Sequence, residues 1–133
     1  MPTQLRDQTI FVVDDESVIA QTVGLILRNA GYQARSFSEP GAALNAAAGE
    51  RPDLLVTDMV MPGMNGVELA LRMQELRPSC KVLVISGQLL TLPATAKDSR
   101  GDRDFDFLCK PVHPLKLLEK IEDVLDGCLK RAS

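Results

Sequence analysis

The sequence is short of several residue types and patterns, and each shortage excludes a class of protein. Its three cysteines are isolated and odd in number, with no Cys-x-x-Cys spacing, so neither a disulfide framework nor a zinc site is indicated. The one histidine, His113, has no partner for catalysis and fits a helix start or a surface position. No long hydrophobic run exists near the N-terminus: four apolar residues precede two aspartates, too few for a signal peptide or a membrane span. We therefore expect a cytoplasmic protein without a membrane partner.

The chain also lacks an excess of basic charge. Its 15 basic and 18 acidic residues give a net charge of −3, and the basic residues form no stripe and do not alternate with aromatics. We therefore expect no nucleic acid to bind through this domain. The length of 133 residues, with 45% hydrophobic and 25% charged residues, suits one globular domain. We predict a single domain over residues 1–133, with its core at about 8–128.

Four short apolar runs each end on a polar residue. Such runs, when turn residues bound them, are typical of buried parallel strands. Open parallel sheets bind their ligands outside the carboxyl ends of the strands. We therefore expect the polar residues to meet at one edge of a sheet. The runs are residues 10–13 before Asp14 and Asp15, 54–57 before Asp58, 82–85 before Ser86, and 107–109 before Lys110.

Segments with helical periodicity separate these runs. The alternation predicts a parallel α/β sheet with helices on both faces. Residues 88–106 are the exception, because they contain Pro93, Gly101 and seven charges between 97 and 106, so a helix there would be short or irregular. The predicted elements are a helix over 17–30 closed by Gly31, a weaker strand over 32–37, a helix from an N-cap at Ser38 towards Gly49, a helix with a capping-box-like start at Asn65 and Glu68, and a helix from Pro114 to near Gly127.

Taken together, these pieces resemble the receiver domain of two-component response regulators, a phospho-accepting module related to the single-domain chemotaxis regulators. The resemblance covers essentially the whole chain. It implies a doubly wound, flavodoxin-like sheet of five parallel strands in the order 2-1-3-4-5, with helices on both faces and the fourth helix within 88–106. The matching motifs, in order along the chain, are residues 13–16, 58–66, 86–87 and 107–111.

The resemblance also implies a role for each polar residue. Asp58 would accept the phosphoryl group, while Ser86 and Lys110 would contact it. The charge that builds up in phosphoryl transfer needs a cation, and carboxylates suit magnesium. The bond before Pro111 would be cis, and no organic cofactor is expected. The implied Mg²⁺ ligands, with Mn²⁺ as a substitute, are Asp15, Asp58, the Val60 carbonyl and, through water, Asp14; the implied switch residues are Ser86 and Phe107.

The function implied is that of a signalling receiver rather than an enzyme acting on external substrates. A histidine kinase or phosphotransfer protein would donate the phosphoryl group. The surface around the fourth helix, the fifth strand and the last helix would then change for a downstream target, and a phosphorylation-dependent dimer is compatible with this scheme. Two alternatives stay open. One is a phosphorylation-independent interaction module; the other is an aspartyl-phosphate phosphohydrolase, which needs a second acid where this chain has Val60.

Overall fold

The computed structural model describes residues 8–87 and 105–132, with side chains up to residue 125. Within them, five parallel strands form one sheet; numbered along the chain, the strands lie in the order 2-1-3-4-5, which confirms the predicted fold. The fourth helix expected within 88–106 falls on residues 88–104, which lie outside the described residues, and residues 105 and 106 begin the fifth strand. The last helix is therefore named α4. The elements are β1 Thr9–Val13, α1 Ser17–Asn29, β2 Gln33–Phe37, α2 Pro40–Ala47, β3 Leu54–Asp58, α3 Gly66–Leu76, β4 Lys81–Ser86, β5 Phe105–Cys109 and α4 Pro114–Ala132.

Successive side chains of each strand point to opposite faces of the sheet, and an apolar layer lies on each face. Along β1, Phe11 and Val13 face the layer that α2 and α3 cover, whereas Ile10 and Val12 face the layer that α1 and α4 cover. The inner strands are therefore apolar on both faces, which explains their continuous hydrophobic runs. The edge strand β2 alternates instead, with Gln33 and Arg35 exposed. This pattern explains why its sequence signal is the weakest of the five.

The ends of α1 and α3 follow the predicted local chemistry. Gly31 adopts φ 103°, and the amides of Gly31 and Tyr32 donate to the carbonyls of Arg28 and Leu27 at 3.0 and 3.1 Å. This is a Schellman closure, in which the left-handed residue costs little because it is glycine. At the start of α3, the Asn65 side chain accepts a hydrogen bond from the Glu68 amide at 2.8 Å, as the capping pattern predicts.

Two predicted helix ends are wrong. Ser38 is not the N-cap of α2: Glu39 holds that position without a side-chain cap, because Pro40 already occupies the first helical turn. The last helix does not end near Gly127 but continues to Ala132. A glycine inside a helix costs only about 1 kcal/mol relative to alanine, and good helix formers follow it. None of the helices among the described residues has the length and apolarity to cross a membrane.

Candidate functional site

Three carboxylates meet at the carboxyl ends of β1 and β3. Asp14 and Asp15 follow β1 directly, and Asp58 is the last residue of β3. Because the two strands are parallel neighbours, their ends lie side by side. One carboxylate oxygen from each of the three residues lies within 4.8 Å of the others. The structure therefore brings together the acidic residues that the strand-end pattern singled out.

Asp14 is the most buried member of this group, with 7% of its surface exposed. Its carboxylate accepts a hydrogen bond from the Glu16 amide at 2.9 Å, and its own amide donates to the Phe37 carbonyl at 3.1 Å. Burial raises the pKa of Asp14; the Glu16 amide opposes this shift and the Asp58 charge adds to it. Negative charge is therefore costly at this end of the sheet unless a cation offsets it.

Lys110 supplies a cation next to Asp58. Its ammonium nitrogen lies 2.8 Å from Asp58 Oδ1, and this hydrogen bond raises the pKa of Lys110. The Lys110 side chain is 43% exposed, whereas that of Asp58 is 11% exposed. The Lys110 amide donates to the Ser86 carbonyl at 2.9 Å, and the bond to Pro111 is cis, as the resemblance implies. The ammonium thus approaches the carboxylate from the β5 side.

Ser86 lies at the end of β4, beside the carboxylates, and Phe107 lies on the neighbouring strand β5. Ser86 is buried at the end of β4, one residue beyond Ile85, which pairs with Asp58. Phe107 is half-buried in the middle of β5 and packs against the core layer under α2 and α3. Their contribution to a switch stays a prediction, since a partly buried aromatic also fits simple packing.

The loop after β3 holds Val60 outside the core. Val60 is 76% exposed, while its neighbours Met59 and Met61 are 8% and 7% exposed and belong to the core layer under α2 and α3. Gly63 takes φ 83°, which a residue with a side chain adopts only with strain. The Val60 side chain therefore faces solvent, and its carbonyl as a metal ligand stays a prediction.

Thr57 and Gly66 are additional residues of the site, for which the sequence predicts no role. The buried Thr57 hydroxyl donates to the Asp58 carbonyl oxygen at 3.0 Å. A Cβ atom at Gly66 would lie 2.3 Å from the same oxygen. The only sequence signal for Thr57 is a hydroxyl at the end of an apolar run, and Gly66 closes a motif without showing what it contacts.

A largely apolar cavity of about 640 Å³ opens beside the carboxylates, between α1 and the start of α4. Asp14, Asp58 and Lys110 form its polar end, and α1 contributes aliphatic side chains such as Ile19 and Val23. This low-polarity wall limits the solvation of the strand-end charges, which strengthens their interactions with one another.

The donor set fits a hard divalent cation. Oxygen ligands from carboxylates are what magnesium and calcium prefer, and Asp14, Asp15 and Asp58 offer three of them within one small volume. Lys110 balances only part of their charge. The acidic cluster is therefore compatible with a divalent metal site.

Comparisons with known proteins agree on one family. The family model described as "Response regulator receiver domain" matches residues 10–122. The response regulator receiver protein CpdR of Brucella abortus is 34% identical over 87% of this chain and 95% of its own length. The DNA-binding transcriptional regulator NtrC of Rhizobium meliloti is 34% identical over 94% of this chain, but the chain spans only 25% of that longer protein.

Solved structures give the same result. A CheY-like response regulator receiver domain protein from Methanospirillum hungatei superposes with a TM-score of 0.82 at 29% identity, covering 95% of this chain and 99% of that one. The likeness therefore extends over the sheet and the helices that the strand-end residues depend on.

Proposed function

Because this chain belongs to the response regulator receiver family, we propose that Asp58 accepts a phosphoryl group from a phosphohistidine donor. Receiver domains interact with histidine kinases and with downstream effectors, so a histidine kinase or phosphotransfer protein is the proposed donor. The observation that carries the proposal is the 2.8 Å contact between Lys110 and Asp58 beside two further carboxylates. A nucleophilic carboxylate, a fixed cation and a metal-compatible acidic cluster are the parts that phosphoryl transfer needs.

In the proposed reaction, an Asp58 carboxylate oxygen attacks the phosphorus of the donor. The bond from phosphorus to the histidine nitrogen breaks, and the released imidazole takes up a proton. Lys110 stabilises the charge that gathers on the phosphoryl oxygens, and the Ser86 hydroxyl donates to one of them. Low exposure of Asp58 limits the competing approach of water.

Magnesium, or manganese in its place, fits the donor set of this site. Asp15, Asp58 and the Val60 carbonyl would hold the ion directly, and Asp14 would act through a bound water. When bound, it supplies positive charge that offsets the crowded carboxylates and the incoming phosphoryl group. This agrees with the raised pKa of Asp14, which reflects burial first and then repulsion by the Asp58 carboxylate.

The proposed output is a change in protein binding rather than turnover of a substrate. The new phosphoryl charge would draw in Ser86 and Lys110, Phe107 would turn inward, and the surface that includes β5 and α4 would change. A downstream protein, or a second copy of the domain, would bind the altered surface. We place this single receiver domain in the cytoplasm, where its kinase would act.

Phosphorylation in vitro tests the proposal. Wild-type protein is incubated with acetyl phosphate and Mg²⁺, and intact-mass spectrometry follows the addition of one phosphoryl group. Asp58→Asn should gain none, whereas Asp123→Asn, a change at an exposed acid on α4, should react like the wild type. Beryllofluoride with Mg²⁺ should change the NMR spectrum of the wild type but not that of Asp58→Asn.

Other outcomes would contradict the proposal. Wild-type protein without an adduct and without a response to Mg²⁺ would instead support an interaction module that works without phosphorylation. Continuous release of phosphate from small phosphoesters would support a phosphohydrolase, although the exposed side chain of Val60 offers no second acid at that position.

A further inference from the structure

The carbonyl oxygen of Asp58 lies at the end of β3, beyond the last residue that pairs with β1. The Met59 amide donates to the Ile85 carbonyl of β4 at 2.9 Å. The Asp58 carbonyl belongs to the same trans peptide group as this amide, so it points the other way, towards β1. Pairing between β1 and β3 ends at Val13 and Thr57. The ladder therefore ends before β1 can offer an amide to this oxygen, although backbone oxygens in a protein interior need a donor.

Two other residues, Thr57 and Gly66, contact the Asp58 carbonyl oxygen in place of a backbone amide of β1. The Thr57 hydroxyl donates to the Asp58 carbonyl oxygen at 3.0 Å, and Thr57 is 0% exposed. Gly66, the first residue of α3, packs so closely against the same oxygen that an added Cβ would lie 2.3 Å from it. The Gly66 amide donates to the Met59 carbonyl at 2.8 Å, which ties the start of α3 to the same loop. The peptide that carries Asp58 is thus held by a hydrogen bond on one side and by packing on the other.

We propose that Thr57 is a positioning residue for phosphoryl transfer, because its hydroxyl holds the Asp58 peptide in the orientation that aims the carboxylate. The proposal rests on the proposed function of Asp58. Thr57 is buried within β3 and acts through Asp58 rather than on the phosphoryl donor. A displacement of about 1 Å in a reacting group can slow a reaction by about 100-fold. The metal-compatible cluster shares the Asp58 carboxylate, so its affinity for a divalent ion depends on the same orientation.

The test compares Thr57→Val, which keeps the branched shape but removes the donor, with Thr57→Ser, which keeps the hydroxyl. Acetyl phosphate and Mg²⁺ are the probes. We expect Thr57→Val to lower the maximal phosphorylation rate about three- to tenfold, in keeping with the loss of one hydrogen bond. Half-saturation by acetyl phosphate should stay unchanged, because the donor does not touch Thr57. Thr57→Ser should restore the rate to within about twofold of the wild type.

A second measurement separates positioning from activity. The stabilisation of each protein against heat by Mg²⁺ alone reports the arrangement of the carboxylates without any phosphoryl transfer. Thr57→Val should need about threefold or more Mg²⁺ for the same effect, given one lost hydrogen bond. If the wild type forms no adduct while this shift is still seen, the proposed function fails and the positioning role stands.

Ser36→Ala is the matched control. It removes a hydrogen bond of the same type, from the Ser36 hydroxyl to the Ala20 carbonyl at 2.8 Å, between β2 and α1. It should lower stability without changing the phosphorylation rate or the Mg²⁺ response. A folded Thr57→Val protein with the wild-type rate and Mg²⁺ response, or a serine variant no better than the valine variant, would overturn the proposal. Thr57→Ala, which also lacks the hydroxyl, repeats the comparison where the valine variant does not fold.

Discussion

Replacing Gly66 with alanine should destabilise the protein, although alanine is the better helix former. The new Cβ would lie 2.3 Å from the Asp58 carbonyl oxygen and 3.1 Å from both the Asp58 carbonyl carbon and the Met59 Cα. All three atoms belong to the backbone, so relief requires the end of β3 or the start of α3 to shift. Overpacking of this kind costs about 1–3 kcal/mol, while the helix-propensity gain is at most about 1 kcal/mol.

The net expectation is a loss of about 1–2 kcal/mol in the free energy of unfolding, or a fall of about 4–8 °C in Tm for a domain of this size. Urea titration followed by far-UV circular dichroism measures the first quantity, and a thermal scan measures the second. Because the clash falls on the Asp58 peptide, the phosphorylation rate should drop as well.

Gly41→Ala is the control with the opposite sign. Gly41 lies within α2, is exposed, and has no atom within 4 Å of the position where a Cβ would be added. The same chemical change there should stabilise the protein by about 0.5–1 kcal/mol. The reasoning is refuted if Gly66→Ala proves as stable as the wild type, or if both variants change stability in the same direction.

Two further predictions concern ionisable groups. Burial raises the pKa of Asp14 above the ordinary 3.8, so the unfolded chain loses this proton first as the pH rises, and ionised Asp14 lowers the stability of the metal-free fold above about pH 4. Asp14→Asn should therefore unfold at higher urea than the wild type at pH 7 in EDTA, with the difference shrinking towards pH 4; equal midpoints at pH 7 would contradict this. Burial also raises the pKa of Cys80 to about 12, whereas Cys109 is exposed. A thiol reagent at pH 8 should label Cys109 in the native protein and Cys80 only after denaturation, as peptide mapping can show, and early labelling of Cys80 would argue against its burial.

Much of the fold could be predicted because its signals are local. The inner strands are continuous apolar runs since both faces of the sheet are covered, and the left-handed Gly31 and the Asn65 cap follow from residue chemistry at single positions. The two wrong helix ends are positions where the signal of one residue was weaker than that of its neighbours in the chain. Pro40 moved the N-cap from Ser38 to Glu39, and the glycine near the end of the last helix did not stop it.

The candidate site divides in the same way. The order of strand-end residues along the chain predicts that Asp14, Asp58 and Lys110 share one edge, because parallel strands place equivalent ends together. Their mutual geometry cannot be predicted in this manner. Asp58 and Lys110 are far apart in the sequence, and the 2.8 Å contact between them depends on how β4 and β5 pair beside β3.

By itself, the sequence determined the strand-and-helix alternation, the polar residue at each strand end and the resemblance to receiver domains, because periodicity and motifs are properties of neighbouring residues. Only the tertiary structure decided how strongly Asp14 is buried, how closely Lys110 approaches Asp58, and that Thr57 and Gly66 hold the Asp58 carbonyl where β1 ends. The reason is physical: burial and hydrogen bonding depend on atoms that meet across the sheet, and these atoms belong to residues that are distant in the sequence.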